Sequence, residues 1–175
     1  MDLNLNDQVA ARLHAHHYVR RAPDWTAAAV AGFLAGAVLM TLQLFWVASS
    51  GGDVWRSSHQ VAAIVMGRDA LQTTAFSWSV VITALAIHYV LGMAFGMVLA
   101  LIVAPFNLDS SWHAAALVGA LFGVLLYVIN FYGMSQVFSW FDQMRGPVAF
   151  TEHVVFGVVA ALAYRQLERP VDKQA

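Results

Sequence analysis

The sequence DWTAAAVAGFLAGAVLMTLQLFW at residues 24–46 lies without a gap over SWHAAALVGALFGVLLYVINFYG at residues 111–133. The two stretches share eight of 23 positions: Trp25/Trp112, Ala27/Ala114, Ala28/Ala115, Ala29/Ala116, Gly32/Gly119, Leu34/Leu121, Gly36/Gly123 and Leu39/Leu126. Each is followed by a second apolar segment that contains one histidine in the pattern H-x-V-x-G, at His88 and at His153. This repetition predicts a helical hairpin used twice, with the two copies related by a pseudo-twofold axis along the membrane normal.

The composition indicates an integral membrane protein. Hydrophobic residues make up 60% of the 175 residues and charged residues 11%, far from the balance of a soluble domain. Four segments are long enough to span a bilayer, which takes about 20 apolar residues. They lie at residues 25–48, 78–104, 112–134 and 147–164, and none has Lys or Arg in its interior.

The expected fold is therefore an all-α membrane protein with four transmembrane helices from a tandem helical-hairpin duplication. One four-helix transmembrane domain covers residues 24–168, with repeat one at about residues 24–104 and repeat two at about residues 111–168. Residues 1–23 and residues 169–175 are expected to be cytoplasmic tails.

The positions of Lys and Arg predict the orientation. The two terminal segments carry six of these residues, the loop between the second and third spans carries none, and the other two loops carry three. Because cytoplasmic segments hold the excess of basic residues, both termini are expected in the cytoplasm, and the expected location is a bacterial inner membrane. The chain has no cysteine, which excludes disulfides and thiolate metal sites.

The two outer loops are expected to carry amphipathic interfacial segments. In the first, VWRSSHQVAAIVMGRDAL at residues 54–71 can form a helix that lies on the membrane surface. In the second, SQVFSWFDQMRG at residues 135–146, we expect Phe138, Trp140 and Phe141 to face lipid, and Asp142 and Arg145 to face water.

Small residues spaced by four predict how the spans pack. Lipid is as apolar as leucine, so membrane helices associate through close backbone contact and polar bonds. Each of the four spans has such a pair, which predicts a tight four-helix bundle: Gly32 and Gly36, Gly92 and Gly96, Gly119 and Gly123, Gly157 and Ala161.

Polar side chains share the faces of these small residues. Each histidine precedes a glycine of its span by four positions, and Gln43 and Asn130 each follow one by seven. These four side chains, together with Glu152, are therefore expected in the bundle interior. His88 is expected about 15 Å from the start of its span, and His153 at a shallower depth.

Besides quinone binding and a proton relay, three hypotheses for these side chains stay open. In the first, neutral His88 and His153 are the axial ligands of a b-type haem, and the glycine one turn away leaves room for the macrocycle. In the second, His88, His153 and Glu152 hold a transition metal, although neighbouring side chains on a helix point about 100° apart. In the third, the histidines, Gln43 and Asn130 hydrogen-bond between helices, each bond contributing about 0.6 kcal/mol.

A resemblance supports a prokaryotic membrane location. The stretch NFYGMSQVFSWFDQMRGPVAFTEHVVFGVVAALAYR resembles small uncharacterised bacterial inner-membrane proteins, some of which carry the label sodium:proline symporter. The resemblance covers residues 67–169 and rests on MGRDAL, NFYG, the SWF turn and the EH pair.

The sequence contains no nucleophile–base constellation, phosphate loop or zinc motif, so catalysis by this chain alone is not expected. We expect a small, non-catalytic accessory or structural subunit of a larger membrane complex, of the respiratory or another electron-transfer class. Its expected partners are the lipid bilayer and other membrane-protein subunits, not nucleic acid. One alternative is a haem b- or metal-binding electron carrier that uses His88 and His153. Another is a small transporter or channel whose pathway follows Gln43, Asn130 and His88.

Overall fold

The computed structural model describes residues 21–169, and this part of the chain is all-helical, without a strand. Its five α-helices are α1, Trp25–Ser49; α2, Arg56–Met66; α3, Trp78–Phe106; α4, Trp112–Val128; and α5, Pro147–Leu167. A π-helical turn at Ile129–Gly133 continues α4, and 3-10 turns lie at Arg68–Leu71, Met134–Gln136 and Ser139–Met144. Residues 1–20 and 170–175 of the expected tails lie outside the described residues.

Four helical segments are long and apolar enough to span a membrane: α1, α3, α5, and α4 together with the turns that continue it to Gln136. This confirms the predicted spans to within a few residues. Residues at the start of each helix determine where these spans begin. The side chains of Asp24 and Ser111 accept hydrogen bonds from the backbone amides of Ala27 and Ala114, as N-caps do. Pro147 begins α5, where its missing N–H costs no helical bond.

Glycines let the helices of each hairpin meet through their backbones. A Cβ atom on Gly32 would lie 2.1 Å from the carbonyl oxygen of Gly92, and one on Gly119 would lie 2.4 Å from that of Gly157. No side chain fits at these distances. Helix α1 therefore packs directly on α3, and α4 on α5.

The histidines hold matched positions against the partner helices, although they lie at different depths in their own. Gly36 faces the ring of His88, and Gly123 faces the backbone of His153. His88 lies ten residues into α3, whereas His153 lies six residues into α5. The difference of four residues arises because α3 begins about one turn further out.

The two hairpins do not pack on each other symmetrically. Helix α1 packs along α5, but the corresponding pair, α3 and α4, meets over only a short length. The alignment explains this difference, since α1 has Ala31 and Ala35 where α4 has Val118 and Phe122. Small side chains let α1 approach α5 closely, and larger ones hold α4 away from α3.

The two outer loops fold together over one end of the bundle, which we call the cap end. The cap consists of α2, the turn after it and residues 134–146. Trp140 and Phe141 are each 8% exposed and pack against Phe131 and Ala63. The expectation that Trp140 and Phe141 face lipid is therefore wrong, because α2 supplies an apolar surface that covers them.

Ion pairs close the opposite end, which we call the terminal end, where α1 begins and α5 ends. Arg21 lies 2.5 Å from Asp109 of the α3–α4 loop and 3.0 Å from Glu168. Burial, together with a hydrogen bond to Asp109, raises the pKa of Glu168 to about 7 against the opposing charge of Arg21. The backbone amide of Asp24 donates to the hydroxyl of the buried Tyr164, 3.2 Å away.

Candidate functional site

A polar cluster of Gln43, Ser57 and Glu152 joins three helices under the cap. The side-chain amide of Gln43 lies 2.7 Å and 2.8 Å from the two carboxyl oxygens of Glu152. A carboxylate only accepts, so the amide nitrogen faces Glu152 and donates to it. The amide oxygen then faces the hydroxyl of Ser57, 3.3 Å away, which donates in turn. The cluster therefore links the cap to a carboxyl group inside the bundle.

Glu152 is the one acidic side chain that the structure places inside the described spans. It is 6% exposed, and no ion pair of residues 21–169 includes it. A charged group without a counter-ion is costly at this depth, and such groups in membrane spans mark proton or ion pathways. Held by an amide, this carboxyl group can take up or release a proton without losing its partner.

His153 and Asn130 form a second polar pair, between α5 and α4. The Nδ1 atom of His153 lies 2.7 Å from the carbonyl oxygen of Ala149, so Nδ1 carries the proton and donates. Its Nε2 atom then accepts a hydrogen bond from the side-chain amide of Asn130, 3.1 Å away. Asn130 belongs to the π-helical turn, an irregularity that often occurs at functional sites.

His88 makes a different bond, to the backbone of α1. Its Nε2 atom lies 2.8 Å from the carbonyl oxygen of Gly36, so this nitrogen carries the proton and donates. Glycine at this position leaves room for the imidazole ring. The bond fastens α3 to α1 inside the first hairpin.

The structure brings some of the predicted residues together and separates others. Gln43 meets Glu152, and Asn130 meets His153. In the described part of the chain, no three His, Cys, Asp or Glu side chains form a group that could hold a metal, so His88, His153 and Glu152 do not assemble as a ligand set. Each histidine is bonded within its own hairpin. Haem ligation by His153 would require breaking its bond to Asn130.

His59 of α2 is a buried polar residue that sequence analysis missed. It is 2% exposed, with Nδ1 lying 2.6 Å from the carbonyl oxygen of Ala70 and Nε2 lying 3.0 Å from that of Ala75. Its ring holds the segment between α2 and α3 against the cap. A signal was present in the sequence, since His59 lies on the same helical face as the buried Ala62 and Ala63.

Arg145 also has a structural role that sequence analysis missed. Its Nε atom donates to the carbonyl oxygen of Phe131, 2.5 Å away, and its guanidinium lies 4.2 Å from the ring centroid of Tyr132. A cation beside the last carbonyls of a helix stabilises that helix end. Arg145 therefore caps the π-helical turn that holds Asn130.

Comparison with known proteins finds no relative of this chain. No protein-family model matches the chain, and no curated protein or solved structure does. What the chain does is therefore inferred from its residues and contacts.

Proposed function

We propose that the chain is a non-catalytic accessory subunit of a larger membrane complex, of the respiratory or another electron-transfer class, and that its cap docks the partner. In this proposal the chain lies in a bacterial inner membrane with both termini in the cytoplasm, so the cap faces the other side. The excess of Lys and Arg in the terminal segments supports this orientation. The matched glycine contacts of the two hairpins support their origin by duplication.

The folded cap is the observation that carries the proposal. Two loops far apart in the sequence are joined by three side-chain hydrogen bonds of 2.7–3.2 Å: Trp140 to the carbonyl oxygen of Gln60, Arg68 to Ser139, and Arg56 to Gln143. A surface that is already ordered loses less conformational entropy on binding than flexible loops do. The cap is thus suited to bind another protein.

The cap also exposes apolar side chains outside the four spans. Val65 is 71% exposed and Val137 is 69% exposed, and the neighbouring Met66 is exposed as well. Exposed apolar groups outside lipid-facing helices mark interaction surfaces. These residues are the expected contact points of the partner.

The test is native electrophoresis of the full chain solubilised from its own membranes. We expect it to migrate with a second polypeptide in fixed stoichiometry. Val65→Asp combined with Val137→Asp should release that polypeptide, because charge is poorly tolerated in a dry interface. The matched pair Val65→Thr and Val137→Thr should largely retain it. Migration only as a monomer or homodimer would contradict the proposal.

One observation favours a second function, a small transporter or channel that conducts protons. Glu152 is buried in a span, lacks an ion pair among residues 21–169, and connects through Gln43 to Ser57 of the cap. In proteoliposomes with an internal pH-sensitive dye, the chain would then conduct protons, and Glu152→Gln would abolish the flux. Thr151→Val, which changes the exposed neighbour, would leave the flux unchanged. Equal flux through Glu152→Gln would rule this function out.

A further inference from the structure

A pocket of about 360 Å³ opens at the terminal end, beside the ion pairs that close the bundle. Its walls include three arginines, a tryptophan and two acids: Arg21, Arg165, Arg169, Trp112, Asp109 and Glu168. It lies at the opposite end of α5 from the polar cluster of Gln43 and Glu152. Neither the accessory role nor transport accounts for it.

The pocket carries an excess of positive charge. Both acids in its walls are engaged by one arginine, Arg21. Arg165 and Arg169 take part in no ion pair of the described chain, although the charge of Arg169 helps to lower the pKa of the nearby Asp24. The three arginines and two acids of the pocket wall sum to a net charge of +1 when both acids are ionised. The two arginines without ion pairs are available to an anion.

Arg165 lies beside an aromatic ring at the pocket. Its guanidinium lies 5.2 Å from the ring centroid of Trp112, over the face of the ring. The ring attracts the cation, and the N–H donors of a guanidinium suit a planar or tetrahedral oxyanion. Trp112 is the first residue of α4, and tryptophan at the end of a span lies at headgroup level. The pocket is therefore at the depth of lipid phosphates.

We propose that this pocket binds a phosphate group, and that the phosphate belongs to the headgroup of an anionic phospholipid. Arg165 and Arg169 contact the phosphate oxygens directly. The level of Trp112, at the depth of lipid headgroups, favours a lipid over a free ion.

Native mass spectrometry of the purified full chain tests this assignment. The chain is released from micelles that contain equal amounts of phosphatidylglycerol and phosphatidylcholine. We expect the wild type to retain the anionic lipid over the neutral one by a factor on the order of ten. Arg165→Gln combined with Arg169→Gln should abolish that preference. Arg68→Gln is the matched control, because Arg68 also lies over a tryptophan, Trp140, but at the cap end.

Two outcomes would overturn the proposal: equal retention of the two lipids by the wild type, or an unchanged preference in the double variant. Arg169→Gln alone, at an exposed residue beyond the end of α5, should give a partial loss of the lipid preference. This single variant keeps the proposal testable if the double variant fails to fold. Inorganic phosphate is the third probe. If it raises the melting temperature of the wild type but not of the double variant while the wild type retains the two lipids equally, the phosphate site stands and its lipid source is overturned.

Discussion

The side-chain amide of Gln43 donates to Glu152 at 2.7 Å and 2.8 Å, and this contact ties the first hairpin to the second. It lies along the one extensive interface between the hairpins, that of α1 with α5. An amide is a neutral partner for a carboxyl group, so the contact stabilises the interface whether or not the acid carries a proton. In the alignment Gln43 corresponds to Asn130, which instead meets His153. The two aligned segments thus use an amide at the same position for different partners.

Gln43→Leu should destabilise the protein, because it leaves the carboxyl group of Glu152 buried without its partner. We expect the free energy of unfolding in mixed micelles to fall by about 1–3 kcal/mol. Adding Glu152→Leu should recover part of this loss, since the double variant buries no unpaired group. Thr41→Val is the control, because its hydroxyl is exposed and bonds only within α1. Strictly additive effects of the two single changes would show that the residues do not interact.

Gly32→Ala and Gly119→Ala should each separate a helix pair. The added methyl group would overlap the backbone of Gly92 or of Gly157, and forced overpacking costs about 1–3 kcal/mol. Gly133→Ala has open space around its new methyl group and should be neutral or mildly stabilising. Chemical unfolding of the three variants measures the difference. Equal stability of all three would contradict the backbone contacts.

Stability should fall as the pH rises through the range in which Glu168 titrates. The ordinary pKa of Glu168, 4.5, is raised to about 7 in the folded chain by burial and by its hydrogen bond to Asp109. Between these values the folded chain binds more protons than the unfolded chain, so the free energy of unfolding decreases with pH and levels off above about pH 7.

Glu168→Gln should flatten this profile, because glutamine resembles the protonated acid at every pH. Thermal unfolding in detergent at several values between about pH 5 and about pH 8 measures it. Asp69→Asn, at an exposed acid on the cap, should leave the slope as in the wild type. A wild-type melting temperature that rises over this range would mean that Glu168 is not the dominant titrating group.

His59→Leu should loosen the segment between α2 and α3, because the carbonyl groups of Ala70 and Ala75 lose their partner. Tryptic cleavage after Arg68, measured on the purified chain, should become about fivefold faster if the hydrogen bonds of this ring together contribute about 1 kcal/mol. Gln72→Ala, in the same segment but exposed, is the control. Equal cleavage rates in both variants would show that His59 does not hold the cap together.

The four spans were predictable because their physical requirement is simple. A helix that crosses a bilayer needs about 20 apolar residues, and four segments meet this condition. The first residues of the spans were predictable because helix starts have local residue preferences. Ser111 is an N-cap, and Pro147 is the first residue of its helix. The faces of the histidines also followed from spacing, since each lies against a glycine of the partner helix.

The partners of the polar residues were not predictable from spacing. Each span is apolar all round, so no hydrophobic face tells which neighbour it meets. The pairing of Gln43 with Glu152 depends on the close approach of α1 to α5, which the alanines of α1 allow. The prediction for the loop residues was wrong for a related reason. Lipid and protein core are equally apolar, so the pattern around Trp140 and Phe141 fits either environment, and the surface of α2 decides.

Site-specific photo-crosslinking in native membranes tests the role of the cap most directly. A photoreactive amino acid at Val65 or Val137 should give one discrete adduct with a second polypeptide, the same from both positions. The same probe at Leu117, an exposed residue of a span, should give none with that polypeptide. Adducts only with other copies of this chain, or no adduct from either cap position, would contradict the account of the chain as an accessory subunit.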